Sequence, residues 1–258
     1  IPTNFEVRRN VVFKGRATVA NGQFEFSFIV PKDIDYAFGL GRISYYADDN
    51  SVDASGYTET FSVGGIADDV PADEEAPMIE VFMNDDKFVF GSITNSDPVI
   101  VVKLTDDSGI NTTGTSIGHD ITAKLNDDPK KMYTLNEFYK ATLDSYQEGE
   151  VRYPLYTLEP GHYSVEVKAW DVHNNSGKGY TEFVVAESAD IALQNVLNYP
   201  NPFTTRTQFF FEHNQNCEFL DAQIQAFTIS GKLVKTINQR VETKGYRVDP
   251  IEWNGRDD

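Results

Sequence analysis

The chain has 258 residues, which is long for one β-sandwich and suits two or three smaller modules. Lysine and arginine total 22 against 40 aspartate and glutamate, and the net charge of −18 disfavours nucleic acid and anionic lipid as partners. The single cysteine, Cys217, excludes an internal disulfide, and no run of about 18 apolar residues is present to span a bilayer. Ile1 to Asn10 lack an apolar signal core, so we expect a secreted protein to carry its signal upstream, in a longer chain.

The first part of the chain alternates apolar and polar residues with period two, which predicts β-strands. In "FKGRATVANGQFEFSFIVP" the pair Asn21-Gly22 separates two such runs, a strong hairpin signature, and "GRISYYADD" and "YTETFSVGG" continue the pattern. We predict an N-terminally truncated β-sandwich module over residues 1–66. Glycine, proline and clustered acids in "GGIADDVPADEEAP" predict an acidic linker over residues 67–77.

The second part, residues 78–188, repeats the strand signal and predicts an immunoglobulin-like β-sandwich. The strand candidates are "MIEVFMNDD", "KFVFGS", "PVIVVKLTDDSG", "HDITAKLND", "GEVRYPLYTLEPGHYSVEVKAW" and "YTEFVVAES". One stretch, "TLNEFYKATLDSYQ", predicts a short helix, because Thr134 and Glu137 have the capping-box spacing and its apolar residues fall along one stripe.

The third part opens with "LNYPNPF", which we call the proline segment, Leu197 to Phe203. Proline fixes φ and disfavours the helical region for the residue before it, so Tyr199 and Asn201 are expected to be extended, as a rigid entry to the strand candidate "TQFFFEH". Ser230-Gly231 predicts a second hairpin turn. We predict a β-sandwich over residues 189–258, C-terminally incomplete, and hence an all-β protein of tandem immunoglobulin-like antiparallel sandwiches.

No catalytic residue is predicted. A cysteine nucleophile needs a nearby base, and Cys217 lies in polar "HNQNCEF", four residues after His213, in a segment that gives the two side chains no common face. The other histidines show no helical i, i+4 pair of the kind that binds zinc.

Two acidic turns are the candidate metal ligands. "LTDDSGIN" contains Asp106 and Asp107, and "AWDVHNNSG" contains Asp171 and Asn174; the two turns could share one end of the sandwich and offer oxygen ligands to calcium. The alternative, which we favour, is that these short side chains cap loop amides. We therefore predict no cofactor, with calcium as the alternative, and we assign most of the aromatic residues to cores rather than to a sugar-binding platform.

Together, three sets of motifs resemble a known family. "FEFSFIVPKDIDYAFGLGRISYYADD" and "MYTLNEFYKATLDSYQEGEVRYPLYTLEPGHYSVEVKAWDVHNNS" resemble the region after the peptidase domain in the gingipain-type cysteine peptidases that act as sortases of the Bacteroidetes type IX secretion system. The proline segment, "TQFFFEHN" and "IQAFTISGKLVKT" resemble type IX sorting domains and FlgD-like immunoglobulin folds more generally.

The resemblance implies a role at the cell surface, on the outer face of the outer membrane. The family's sortase removes the C-terminal signal domain of cargo and joins the cargo to anionic lipopolysaccharide. Its partners are its own upstream peptidase domain, the cargo signal domains and the outer-membrane β-barrel protein PorV. Its catalytic Cys and His lie in a caspase-like domain whose motifs match no position here, so the resemblance assigns this chain a non-catalytic role.

Two questions stay open at the level of sequence. The proline segment either serves only as a rigid entry to the third module, or it also forms a docking surface. The residues of that surface would be Tyr199, Pro200, Asn201, Pro202 and Phe203. The chain as a whole could instead be the accessory sandwiches of an adhesin or glycan enzyme with a generic sorting domain. A free-standing peptidase is disfavoured, because an antiparallel sandwich offers no parallel-strand carboxyl edge for a nucleophile.

Overall fold

The structure is a computed structural model that describes residues 11–49, 51–67, 72–113, 118–186, 193–215, 217–244 and 246–256. The chain is all-β and its sheets are almost entirely antiparallel, as predicted. In the described ranges the strands are β1 Gly39–Leu40, β2 Ile43–Asp48, β3 Asp53–Thr58, β4 Ser62–Val63, β5 Met78–Met83, β6 Ile93–Thr94, β7 Val99–Thr105, β8 Thr122–Leu125, β9 Met132–Thr134, β10 Tyr139–Ala141, β11 Glu148–Pro154, β12 Gly161–Trp170, β13 Ser176–Val185, β14 Leu193–Tyr199, β15 Thr207–His213, β16 Phe219–Phe227, β17 Leu233–Lys244, β18 Arg247–Val248 and β19 Ile251–Trp253.

The first part forms two small antiparallel pairs, β1 with β4 and β2 with β3. The predicted turn at Asn21-Gly22 is present, with φ of 54° and 75°, the left-handed values that a tight hairpin turn requires. Only Ala20 and Gln23 are paired across it, and the runs on either side are not assigned as strands. The predicted turn is therefore confirmed, but the hairpin is shorter than predicted.

The middle part consists of two sheets with one core between them. Their strand orders are β10-β11-β7-β5 and β6-β13-β12-β8-β9, and the short β13–β6 pair is parallel. Ile100, Val102 and Leu104 of β7 share the core with Val165 and Val167 of β12. Each of these buried side chains contributes about 1.5–3 kcal/mol, so this core is the main source of stability in the described structure.

The close approach of β13 to the segment entering β5 depends on glycine. A Cβ atom at Gly177 would lie within van der Waals overlap, 2.3 Å from the carbonyl oxygen of Pro77. Gly179 is similarly close to backbone, with its Cβ position 2.7 Å from the carbonyl oxygen of Ile79. The two layers can meet here because these two positions of β13 lack side chains.

The predicted helix over "TLNEFYKATLDSYQ" is wrong. The structure has a single 3₁₀ turn, Asn136–Phe138, followed by β10, and the capping box does not form because Leu135 occupies the N-cap position. Tyr139 and Ala141 are buried while the residue between them is exposed, which is a strand pattern. Pairing with β11 and burial of Leu135 outweigh local helix propensity. The strand predicted at "KFVFGS" is also wrong, because Lys87 to Ser92 form turns.

The third part is one sheet of order β14-β15-β18-β17-β16, with β19 also paired to β15. Strand β15 coincides with the predicted "TQFFFEH", and Ser230-Gly231 lies in the turn between β16 and β17. The buried apolar side chains of its cluster are Val241, Val248 and Ile251, a much smaller set than in the middle part. This sheet is therefore expected to be less stable than the middle sandwich.

One buried carboxylate joins the middle and third parts. Glu212 of β15 accepts hydrogen bonds from Ser92 Oγ at 2.8 Å and Asn195 Nδ2 at 2.9 Å, and its Oε1 pairs with Arg247 Nε at 2.8 Å. Burial opposes ionisation of Glu212, but these three donors together lower its pKa below the ordinary value. The contact to Ser92, which immediately precedes β6, ties the sheet of the third part to the sandwich before it.

Candidate functional sites

The two acidic turns meet at one end of the middle sandwich, together with a third acid that sequence reasoning missed. Carboxylate oxygens of Asp73, Asp106 and Asp171 lie within 4.8 Å of one another. Asp106 directly follows β7, Asp171 directly follows β12, and Asp73 belongs to the segment before β5. We call these three residues the carboxylate cluster. Asp73 could not be singled out from sequence, because it is one acid in an acidic run.

Loop amides are the partners of the two buried members. Oδ1 of Asp171 accepts from the backbone N–H of His173 at 2.9 Å and of Asn175 at 2.7 Å, and its Oδ2 accepts from Asn175 Nδ2 at 2.7 Å. Oδ1 of Asp106 accepts from the N–H groups of Ser108 and Gly109, both at 2.9 Å. The turn-capping interpretation therefore describes these contacts, and the calcium alternative stays a prediction.

The electrostatics of the cluster differ from one member to the next. Burial raises the pKa of Asp106 to about 6, and the charges of Asp171 and Asp73 add to this effect, against the lowering effect of the two amides. The hydroxyl of Ser108 lowers the pKa of Asp73, with smaller contributions from an amide and from the charges of His173 and Lys32. Three neighbouring carboxylates, one of them with a pKa near neutrality, can hold a shared proton or a hard cation.

The other two calcium candidates are not in the cluster. Asp107 is exposed, and its backbone carbonyl accepts from Gln147 Nε2 at 2.6 Å. Asn174 has positive φ, 74°, and its Oδ1 is sealed from solvent without a hydrogen-bond partner among the described residues. The structure thus brings together two of the four predicted ligands.

Cys217 and His213 make separate contacts. The thiol of Cys217 donates to the carbonyl of Gln215 at 3.9 Å, while Nδ1 of His213 accepts from the N–H of Gln215 at 3.3 Å. Burial lowers the pKa of His213, and its Nε2 has no partner in the described part of the chain. These contacts do not form the thiol–imidazole hydrogen bond by which a histidine activates a cysteine nucleophile.

The proline segment follows β14, the edge strand of the third sheet. Phe203 packs on Trp253, with ring centroids 5.6 Å apart, and Thr207 Oγ1 donates to the carbonyl of Pro200 at 3.0 Å. Tyr199, in contrast, does not pack inward, because its side chain is 70% exposed. Edge strand β14 ends at Tyr199, so that ring is left outside the small core of the sheet.

The exposed part of the proline segment is a continuous surface. Tyr199, Pro200, Asn201 and Pro202 are all exposed, and Asn201 Nδ2 donates to Asn198 Oδ1 at 3.2 Å. A short segment that is held by proline and by its own hydrogen bonds loses little conformational entropy on binding. This geometry is compatible with a docking surface.

The fold and these contacts define an all-β protein of almost entirely antiparallel sheets. Among the described residues, no helix is long and apolar enough to cross a membrane. No family profile matches the chain, and no curated protein matches it. Among solved structures, the chain is similar to one described as the crystal structure of dimeric latent PorU from Porphyromonas gingivalis.

The similarity to PorU amounts to 30% sequence identity, with a TM-score of 0.45. It covers 90% of this chain and 22% of the PorU chain, so this chain spans about a fifth of the length of that protein.

Proposed function

We propose that the chain is the non-catalytic C-terminal β-sandwich region of a type IX secretion system sortase, on the outer face of the outer membrane. In this role it supports an upstream cysteine peptidase and docks it where cargo signal domains are removed. The observation that carries the proposal is the stretch Met132 to Ser176, one of the two motifs that resemble the family most particularly, which forms β9 to β12 and enters β13.

The contacts of Cys217 support the non-catalytic part of the proposal. Its thiol donates a hydrogen bond to a backbone carbonyl, and His213 accepts a hydrogen bond from a backbone N–H. The third sheet is also antiparallel throughout the pairs described. Activity would then reside in a caspase-like domain elsewhere in the same protein.

The proline segment supports the docking part of the proposal. An exposed Tyr199 next to two prolines offers an aromatic anchor on a stiff backbone, and aromatic anchors dominate many protein interfaces. The proposed partner is an outer-membrane β-barrel protein of the PorV kind. The net charge of residues 190–258, −2, makes this the least acidic part of the chain.

Mutation of this surface in the full-length protein tests the proposal. We expect Tyr199→Ser to weaken co-purification with the barrel partner and to leave cargo with uncleaved signal domains. Tyr156→Ser is the matched control, because Tyr156 is also 70% exposed but lies in the middle sandwich. Normal cargo processing by the Tyr199→Ser protein would contradict the proposed docking role. Cleavage of cargo by the present chain alone, lost in Cys217→Ala, would remove the non-catalytic role.

A second candidate is a surface adhesin or glycan enzyme with accessory sandwiches and a generic sorting domain. The proline segment and "ISGKLVKT" support this candidate and the sortase equally, because they resemble many sorting domains. The sequence upstream of Ile1 separates the two candidates. A caspase-like domain with its Cys and His supports the sortase, and any other domain supports the adhesin or glycan enzyme.

A further inference from the structure

The turn between β16 and β17 presents three apolar side chains to solvent. We call Phe227 to Leu233 the hairpin tip. Ile229 is fully exposed, and the cross-strand partners Phe227 and Leu233 are 55% and 46% exposed. The register shifts between Ala226 and Phe227, a bulge that bends the end of the hairpin. Large apolar side chains are uncommon at the tip of a tight turn, where Gly, Asn, Asp and Ser prevail.

The backbone of the hairpin tip is closed by its own hydrogen bonds. The N–H of Thr228 donates to the carbonyl of Lys232 at 2.8 Å, and the N–H of Gly231 donates to the carbonyl of Thr228 at 2.9 Å. Thr228 Oγ1 accepts from the N–H of Lys232 at 3.0 Å and lies 2.9 Å from Ser230 Oγ. These groups can therefore enter a less polar medium without losing hydrogen bonds to water, a loss that otherwise opposes such transfer.

The charge around the hairpin tip has the opposite sign to that of the chain. Between Gln223 and Gln239 the only charged residues are Lys232 and Lys235, in a protein of net charge −18. The nearest acid along β16 is Asp221, roughly 20 Å from Phe227 at the rise of an extended strand. Since charges are screened beyond about 8 Å at physiological ionic strength, a surface that meets the tip encounters lysine rather than the acidic modules.

We infer that the hairpin tip inserts into the headgroup region of an anionic lipid surface. Apolar side chains on a self-bonded turn, flanked by lysines whose ammonium groups stay at the water boundary, are the features of an interfacial anchor. This local feature reverses the expectation, drawn from net charge alone, that the chain avoids anionic lipid. The inference does not rest on the sortase proposal, because it uses only the contacts and charges of β16 and β17.

Vesicle binding by the 258-residue chain tests the inference. We expect the chain to co-sediment with vesicles of phosphatidylcholine and phosphatidylglycerol, and more weakly with phosphatidylcholine alone. Ile229→Glu should lower the partition coefficient by about tenfold or more. Lys232→Gln should lower binding to the anionic vesicles by about fivefold and reduce its dependence on salt.

Val52 supplies the matched control. It is 71% exposed and lies just before β3, close to the β2–β3 turn, amid Asp48, Asp49 and Asp53, so Val52→Glu adds the same charge to another hairpin. We expect Val52→Glu to bind like the parent chain. In a second measurement, Ile229→Trp should show a blue-shifted emission on adding anionic vesicles, and Val52→Trp should not.

Three outcomes would overturn the inference. They are a parent chain that does not bind anionic vesicles, an Ile229→Glu chain that binds as well as the parent, and an Ile229→Trp emission that vesicles leave unchanged. The first would leave a protein groove as the alternative site for these apolar side chains. Failure of this test would not affect the sortase proposal, whose test uses Tyr199 and cargo processing.

Discussion

Replacing Asp106 by asparagine should stabilise the protein at neutral pH. The side chain is buried beside Asp171 and Asp73, and its carboxyl has a pKa of about 6 in the folded state, against an ordinary value of 3.8. Asparagine retains the Oδ1 that accepts from the N–H groups of Ser108 and Gly109, and it removes the charge.

The direction of the effect follows from proton binding. Because the folded pKa lies above the unfolded one, the folded protein holds a proton at Asp106 that the unfolded chain has already lost at the same pH. The stability from this proton is fully present below about pH 4 and is lost as pH rises through about 6. A shift of this size corresponds to at most about 3 kcal/mol, so we expect Asp106→Asn to be about 1–3 kcal/mol more stable than the parent at pH 7.5. The difference should shrink towards zero at pH 4.

Urea unfolding followed by fluorescence measures this difference. Trp170 ends β12, next to Asp171, and it reports on the middle sandwich, while Trp253 reports on the third sheet. Asp107→Asn is the matched control, because it removes the same charge from the exposed neighbour. Its stability relative to the parent should change little between the two pH values.

Calcium provides the second half of the experiment. Unfolding is first measured with a chelator and then with added calcium. If the carboxylate cluster binds the ion, the parent gains stability at pH 7.5 and Asp106→Asn gains much less. The reasoning is refuted if Asp106→Asn is less stable than the parent at pH 7.5, or if its advantage is the same at pH 4.

Three further predictions concern the packing of a glycine, a buried carboxylate and the protection of backbone amides. Gly177→Ala should lower stability by about 2 kcal/mol or more, because its Cβ would meet a backbone carbonyl, while Gly56→Ala, which has open space, should change it by less than about 0.5 kcal/mol; similar losses would contradict the packing argument. Glu212→Gln should cost about 1–3 kcal/mol in urea unfolding of the third sheet, since the buried carboxylate accepts from Ser92, Asn195 and Arg247 and an amide cannot accept from all three, and an unchanged midpoint would refute this. Amides of Gln223 to Ile237 should exchange with deuterium faster than those of Tyr163 to Ala169, because the core beneath them is smaller; equal protection would contradict it.

Much of the fold follows from local patterns. The alternation of "GHYSVEVKAW" predicts β12, since a two-residue period matches a sheet with one buried face. The continuous apolar run of "PVIVVKLTDDSG" predicts β7, a strand in which Val101 is buried as well as Ile100 and Val102. The Asn21-Gly22 and Ser230-Gly231 turns follow from residues that accept left-handed φ or that favour turns. These features depend on a few adjacent residues, so the sequence contains them in full.

Other features depend on partners that are distant in the chain. "TLNEFYKATLDSYQ" has helical spacing, but β11 offers Tyr139 and Ala141 a strand partner, and long-range pairing overrides a weak local preference. Asp73 joins Asp106 and Asp171 only because the segment before β5 runs beside the ends of β7 and β12. Tyr199 is exposed and Phe203 is packed because Phe203, unlike Tyr199, meets the ring of Trp253, which lies in β19, about 50 residues later in the chain. The sequence by itself determined most of the strands, the two turns and the charge. Which side chains meet was decided by the tertiary structure, since burial and coupling between charges are properties of neighbours in space rather than in sequence.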